Sequence, residues 1–381
     1  MNDEAKAGAV GEVPARARAG REVFLDTLRG LLLVLMLLEH APGPLHAWTL
    51  HWFGFLSEAE GFVFLSGCVA GWVYTRTLRE RGVGALWRRA GRRAVTIYVW
   101  HLAAFVAVWG LLHYLDPHVA RLGWGAWEPI LGADWPAAAG WGLALFYQPT
   151  MMDILPMYFV LLLFLPALLM VAEEKGGGWV LLGSLVLWLA AQAGCRASLA
   201  DYLPDGRGTF PGNFDVWAWQ LLFVAGVVVG HRFAASAGPP RKRRTWVLGP
   251  ALFVLGGLFA VRHSDWGGGV AVELPEALIS KPHLGPMRLL NFLALAGLVY
   301  AGYPVLRTRC GNRALALLGR QSLVVFAFHL PLIFSLHLAQ RYGWLPGPAR
   351  QCGVVALAAA TLWLPAWGAE LGGRWRRRGA G

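Results

Sequence analysis

Long apolar segments alternate with shorter polar connections along the whole chain. A helix needs about 20 mostly apolar residues to cross a bilayer, at about 1.5 Å per residue. Ten segments meet this requirement: 24–42, 58–75, 94–115, 153–172, 178–195, 216–233, 246–262, 286–306, 321–340 and 351–370. An eleventh apolar piece, 137–148, is too short to span and is predicted to be an interfacial or re-entrant helix. The pattern predicts an all-α, polytopic integral membrane protein with about ten transmembrane helices.

Composition supports the membrane assignment. The chain is 56% hydrophobic and 15% charged, whereas soluble domains are roughly 45–50% apolar and about 25% charged. A soluble fold needs a polar shell that this composition does not supply. Residues 1–20 are poor in large apolar groups and are predicted to be a disordered cytoplasmic tail. The segment 21–372 is predicted to be a single transmembrane domain, followed by a basic cytoplasmic tail, 373–381.

The positive charges follow the predicted spans. The net charge is +12, but the arginines lie in short runs between apolar segments, which argues against nucleic acid as a partner. Of the 34 Lys and Arg residues, 25 fall in one alternating set of connections and 8 in the other. Short positive loops stay in the cytoplasm. The split therefore predicts a multi-pass protein among membrane lipids, with both termini in the cytoplasm.

The first predicted span carries four ionisable residues, which are costly in a membrane and usually functional. Asp26 and Arg29 are three residues apart, so they share a helix face and can pair. His40 lies eleven residues after Arg29, which is about three turns or ~16 Å along the same face. Glu39 precedes it. One helix wall thus offers a site for a substrate that enters from inside and reacts further out.

The second span begins with two more carboxylates, Glu58 and Glu60. Because the loop before it is short, we expect Glu60 to lie near His40, to orient its imidazole and to raise its basicity, as in general base catalysis. The alternative for the first span is that His40 is interfacial and Arg29 snorkels to the inner surface. Small residues in the second span, Gly67 and Gly71 among them, predict close approach of another helix.

The same residues resemble a known family. The stretch "LDTLRG", followed after ten residues by His40, resembles the start of acyltransferase-3-type transmembrane acyltransferases, and more specifically of the OpgC family, named for a protein that succinylates osmoregulated periplasmic glucans. Further segments that carry the resemblance are "FGFLSEAEGFVFLSG", "YQPTMMDILPMYFVLLLFLP", "WAWQLLFVAGVVVG", "LGPMRLLNFLALAGLVY" and "LGRQSLVVFAFHL". Two positions depart from the family pattern: Glu39 is commonly Asp, and Gly61 is commonly bulky and apolar.

The resemblance implies a transmembrane acyltransferase domain in a bacterial inner membrane. Acyl-CoA, with succinyl or another acyl group, would be the co-substrate, and a periplasmic glucan or other glycan would be the acceptor. His40 would be the catalytic residue, as a general base or as a transient acyl carrier, with Glu60 beside it. Arg29, with Asp26 as its partner, would bind the donor.

Three further residues are predicted to bind substrate on the outer side: Asp153, Lys281 and Glu39. Lys281 is expected to attract an acidic acyl group or glycan. His329 and His337 share a helix face and are candidates to line the cavity. No metal site is predicted.

The alternative functions are a transporter or flippase for a glycan or lipid-linked sugar, and a membrane component without chemistry. The sequence does not indicate an oligomeric state.

Overall fold

A computed structural model describes residues 22–49, 53–115, 127–132, 135–195, 214–236, 244–265 and 272–378. The predicted tail, 1–20, lies outside these residues. Within the described ranges all regular structure is helical, which confirms the all-α prediction.

The helices follow the predicted spans closely. They are α1 (Val23–His40), α2 (Pro44–Thr49), α3 (Glu58–Leu115), α4 (Glu128–Leu131), α5 (Trp135–Leu143), α6 (Ile154–Glu174), α7 (Gly177–Gln192), α8 (Val216–Ala235), α9 (Leu248–Arg262), α10 (Glu276–Ile279), α11 (Pro286–Arg309), α12 (Arg313–Arg320), α13 (Ser322–Arg341), α14 (Pro348–Thr361) and α15 (Trp363–Arg378). Each of the ten predicted spans coincides with a helix, a limb of α3 or the pair α14–α15. The short piece near 137–148 is α5.

Seven helical stretches in the described chain are long and apolar enough to cross a membrane. One of them is α3, which contains both the second and the third predicted spans. α1 is not among the seven; it carries Asp26, Arg29 and Glu39 within its 18 residues. α7 is apolar but has only 16 residues. At the far end, helix α15 continues to Arg378, into the segment predicted as a basic tail.

Helix α3 folds back on itself at Gly82, whose φ of 77° and ψ of 177° interrupt the helix. Arg89 Nη1 donates a hydrogen bond of 2.6 Å to Thr77 Oγ1, although twelve residues of straight helix would separate them by ~18 Å. The two limbs therefore lie side by side. Glycine suits this turn because it has no Cβ to disfavour a positive φ.

Glycines bring α3 and α8 into backbone contact. A Cβ added to Gly67 would lie 2.2 Å from the Phe223 carbonyl oxygen, and Gly71, Gly226 and Gly230 are equally crowded by facing backbone. Each helix thus presents a pair of glycines four residues apart, the small-residue spacing that lets membrane helices pack closely. The predicted close approach at Gly67 and Gly71 is confirmed.

Helices α1 and α12 make a second close contact. A Cβ on Gly30 would lie 1.9 Å from the Leu315 carbonyl oxygen, and one on Gly319 would lie 1.9 Å from the Asp26 carbonyl oxygen. This contact fixes the first half of α1, where Arg29 lies. The two glycine contacts and the hairpin of α3 place α1, α3, α6 and α13 around shared internal space.

Candidate active site

Helix α1 contributes to two cavities, one near each of its ends. The first is about 470 Å³ and is lined by Arg29 together with residues of α3, α6 and α13. Four more arginines line it: Arg89, Arg92, Arg93 and Arg320. A neighbouring hollow of about 570 Å³ shares Arg89 and Arg92 and adds Arg81 and Arg88. We call the first space the arginine cavity.

Arg29 is held firmly in the arginine cavity. Its side chain is buried, and Nη2 donates a hydrogen bond of 2.6 Å to Ser322 Oγ, at the start of α13. The guanidinium carbon lies 5.8 Å from the centre of the Phe62 ring, within the range of a cation–π contact. Asp26 is buried one turn earlier. Arg29 therefore does not snorkel to a surface, and its fixed guanidinium suits binding of a phosphate or a carboxylate.

The second cavity, of about 250 Å³, contains His40 and is called here the histidine chamber. It lies at the far end of α1 and brings together residues from six stretches of the chain. Its polar lining residues are Glu39, His40, Glu58, Thr150, Asp153, Lys281 and His329. The predicted substrate-binding residues Glu39, Asp153 and Lys281 thus share one chamber with the predicted catalytic histidine.

The His40 ring has a defined orientation. Nδ1 lies 2.8 Å from the carbonyl oxygen of Met36, one turn back on α1. A carbonyl oxygen only accepts, so Nδ1 carries the proton and donates it. Nε2 is then the unprotonated nitrogen of the neutral ring, and none of the described residues bonds to it. His337 Nε2 donates 2.9 Å to the His40 carbonyl oxygen, which ties the end of α1 to α13.

Glu60 has partners other than the one expected. Its Oε2 accepts hydrogen bonds from the backbone N (3.0 Å) and Oγ (2.8 Å) of Ser57. Its Oε1 accepts from Nε (2.8 Å) and Nη2 of Arg288, on α11. The orienting group of His40 is instead the Met36 carbonyl. The expectation that Glu60 orients the imidazole is therefore corrected, because both carboxylate oxygens are bonded elsewhere.

Glu39 is bonded differently. Oε1 lies 3.4 Å from Lys281 Nζ, while Oε2 is buried and has no hydrogen-bond partner among the described residues. The residue is only 8% exposed. A buried carboxylate oxygen without a donor is costly, and here it belongs to a residue that lines the chamber. This geometry leaves Glu39 able to accept a hydrogen bond from a molecule in the chamber.

Asp153 precedes α6 and is 2% exposed. Its side chain does not cap the helix; it lines the histidine chamber together with Thr150 and Met151. Met151 has a φ of 71°, which is unusual for a residue other than glycine. The backbone before α6 is thus bent to bring this short loop to the chamber wall.

Several chamber residues carry little or no signal in the sequence. His329 was one of two candidates on one face of α13; it lines the chamber, and its Nδ1 donates to the Phe326 carbonyl oxygen. Phe326 and Ile154 were not singled out at all. The only signal for them was their place in the segments "FAFHL" and "DILP", since apolar residues in membrane helices do not reveal which ones face a cavity.

No group of three or more His, Cys, Asp and Glu side chains in the described ranges is arranged to hold a metal ion. The two cavities bring together an imidazole, carboxylates, an ammonium group and an arginine cluster. Such a set can bind an anion, accept a proton from a hydroxyl and hold a polar acceptor.

Comparison with known proteins identifies the family to which the chain belongs. Neither a curated protein nor a solved structure matches the chain. A protein family described as "OpgC protein" does match, over residues 21–374. That match includes α1, the arginine cavity and the histidine chamber, and it covers nearly the whole sequence, so the chain belongs to the OpgC family.

Proposed function

We propose that this protein is a membrane-bound O-acyltransferase that moves an acyl group from a cytoplasmic acyl-CoA to a hydroxyl of a periplasmic glucan or other glycan. Membership of the OpgC family points to a glucan-modifying acyltransferase. The observation that carries the proposal is the pair of cavities along α1. One holds a buried arginine among four others, the second holds a histidine with an open Nε2, and two side chains line both.

The arginine cavity is proposed to bind the donor. CoA carries several phosphates, and arginine binds phosphate oxygens through paired N–H groups. The neighbouring hollow extends the arginine surface by Arg81 and Arg88, which gives the nucleotide end of the donor further guanidinium groups to bind. The arginine-rich connections are those that the charge split assigns to the cytoplasm. In that predicted orientation, the donor would bind on the side where acyl-CoA is made.

His40 is proposed to act as the general base. Its Nε2 takes the proton of a glycan hydroxyl as that oxygen attacks the thioester carbonyl. A C–O bond forms, the C–S bond breaks, and the CoA sulfur leaves with a proton returned from the imidazolium. The Met36 carbonyl keeps the required tautomer, a task that a carboxylate performs in many triads. Because the donor and the acceptor reach His40 from opposite sides, the charged CoA does not have to cross the hydrocarbon.

The chamber is proposed to hold the acceptor hydroxyl. Glu39 Oε2 is available to accept a hydrogen bond from the glycan, and Asp153 lines the same wall. The Lys281 ammonium group, 3.4 Å from Glu39 Oε1, pairs with that carboxylate and adds a positive charge near the reacting carbonyl. We infer that these three residues position the acceptor and that His40 performs the proton transfer.

The test is His40→Gln in purified protein reconstituted into vesicles with acyl-CoA and a glucan. Release of the CoA thiol is followed with a thiol-reactive colour reagent, and the mass of the glucan is measured by mass spectrometry. Loss of a general base lowers rates by roughly 10²–10⁴-fold, so transfer should fall to near background. His113→Gln is the control, because His113 is exposed on α3 and lines neither cavity. Glucan that crosses the vesicle membrane without any gain in mass would instead support transport.

A further inference from the structure

The two cavities are separated by very little protein. Of the described residues, Ile154 and Phe326 are the two whose side chains line both the arginine cavity and the histidine chamber. Ile154 is the first residue of α6, and Phe326 lies one turn into α13. Both are buried and apolar. Any group that reaches His40 from the arginine cavity therefore passes these two side chains.

Two aromatic rings contact Phe326. Its ring stacks on that of Phe62, with centroids 6.2 Å apart and planes 19° apart. The His329 ring meets it at 60° with centroids 4.6 Å apart. His329 Nδ1 also bonds to the Phe326 carbonyl oxygen. Packed aromatic pairs of this kind hold rings in place, so these contacts restrict movement of the Phe326 ring between the two cavities.

We propose that Phe326 and Ile154 form a throat that admits the acyl end of the donor and limits its size. This inference rests on the proposed function, since it assumes that the donor enters through the arginine cavity. The chamber beyond the throat has about 250 Å³, less than the roughly 300–1,000 Å³ of pockets for drug-sized ligands. It must also receive a sugar hydroxyl. The throat and chamber together select short acyl groups, and the two apolar side chains keep water from the thioester during entry.

The experiment measures binding of a series of S-alkyl-CoA thioethers, from two to ten carbons, to the purified full chain. Thioethers cannot be cleaved, so the length profile does not depend on catalysis. One methylene too many in a filled pocket costs roughly 10-fold or more in discrimination. Wild-type affinity should therefore fall steeply beyond a short limit. Phe326→Ala should move that limit to longer chains, and Ile154→Ala should move it less.

The control is Phe292→Ala. Phe292 is as well buried as Phe326 and packs on Phe64 with ring centroids 5.2 Å apart, but it lines neither cavity. Its profile should match the wild type. Phe326→Leu, which conserves more volume, serves if Phe326→Ala does not fold, and thermal unfolding is recorded for every variant.

Turnover of the matching acyl-CoA thioesters is measured in parallel. If thioether affinity depends on chain length in the same way in the wild type and in both folded Phe326 variants, the throat proposal is wrong. Continued turnover in that case would still support the proposed function. A shifted profile without turnover in any protein supports the throat and overturns the acyl transfer. If no thioether binds the wild type, both the donor site and the throat are wrong.

Discussion

Two carboxylates near the same end of the bundle differ in how completely they are bonded. Glu60 is fully buried, and both its oxygens are bonded, one to Arg288 and the other to Ser57. Glu39 has one oxygen near Lys281 and a second, buried oxygen without a partner in the described chain. A carboxylate whose acceptors are filled by the protein holds the fold together. One with an acceptor left open in a cavity is available to a substrate.

The largest expected effect comes from Glu60→Ala. The Glu60–Arg288 pair joins the start of α3 to α11, and removing one partner leaves a buried charge, which costs about 3–5 kcal/mol. Unfolding in detergent by heat or denaturant should show this loss, and Arg288→Ala should show a similar one. If Glu60→Ala unfolds like the wild type yet abolishes acyl transfer, Glu60 takes part in the reaction, and its complete bonding does not indicate a structural role.

A smaller effect, on activity and not on stability, is expected for Glu39→Gln. A hydrogen bond to a charged acceptor is worth about 1.5–3 kcal/mol, so the acceptor KM should rise by roughly 10- to 100-fold. The change in kcat should be smaller, because His40 is intact. The measurement is steady-state transfer at varied glucan, with exposed Glu80→Gln as the control. An unchanged acceptor KM would mean that the open oxygen does not meet the glycan.

The smallest effect is expected for Lys281→Met. The Lys281 side chain is 35% exposed, and partly exposed ion pairs contribute about 0–1 kcal/mol. Stability should change by less than ~1 kcal/mol, while the acceptor KM changes a few-fold and becomes less sensitive to salt. Lys281→Arg should retain wild-type behaviour. A loss of activity greater than that of Glu39→Gln would place the main acceptor contact on the ammonium group.

Much of the fold was predictable because helices in membranes must satisfy their own backbone hydrogen bonds over a fixed length. Apolar segments of that length therefore mark helices, and each predicted span has its helix. The spacing of Arg29 and His40 also predicted that they lie about three turns apart on one face of α1, since helical geometry fixes the rise and the rotation per residue. The topology inferred from the arginine split stays a prediction.

The partner of Glu60 was not predictable from the sequence. Arg288 is 228 residues away, and proximity along the chain favoured His40 instead. The same limit applies to the Met36 carbonyl that orients His40, because any helix supplies such carbonyls at every turn. The two residues of the proposed throat were not predictable either. In the sequence, Ile154 and Phe326 are ordinary apolar residues of membrane helices, and only the arrangement of α6 and α13 brings them to the walls of both cavities.

The sequence alone determined that this is an all-helical membrane protein of the OpgC type and that α1 carries its arginine and histidine. Those features depend on local spacing and composition, which a linear chain displays. The tertiary structure decided which carboxylate is saturated, which is open, and which apolar side chains separate donor space from the histidine chamber. Those features depend on contacts between residues distant in sequence, made possible here by glycine pairs that let α3 approach α8 and α1 approach α12.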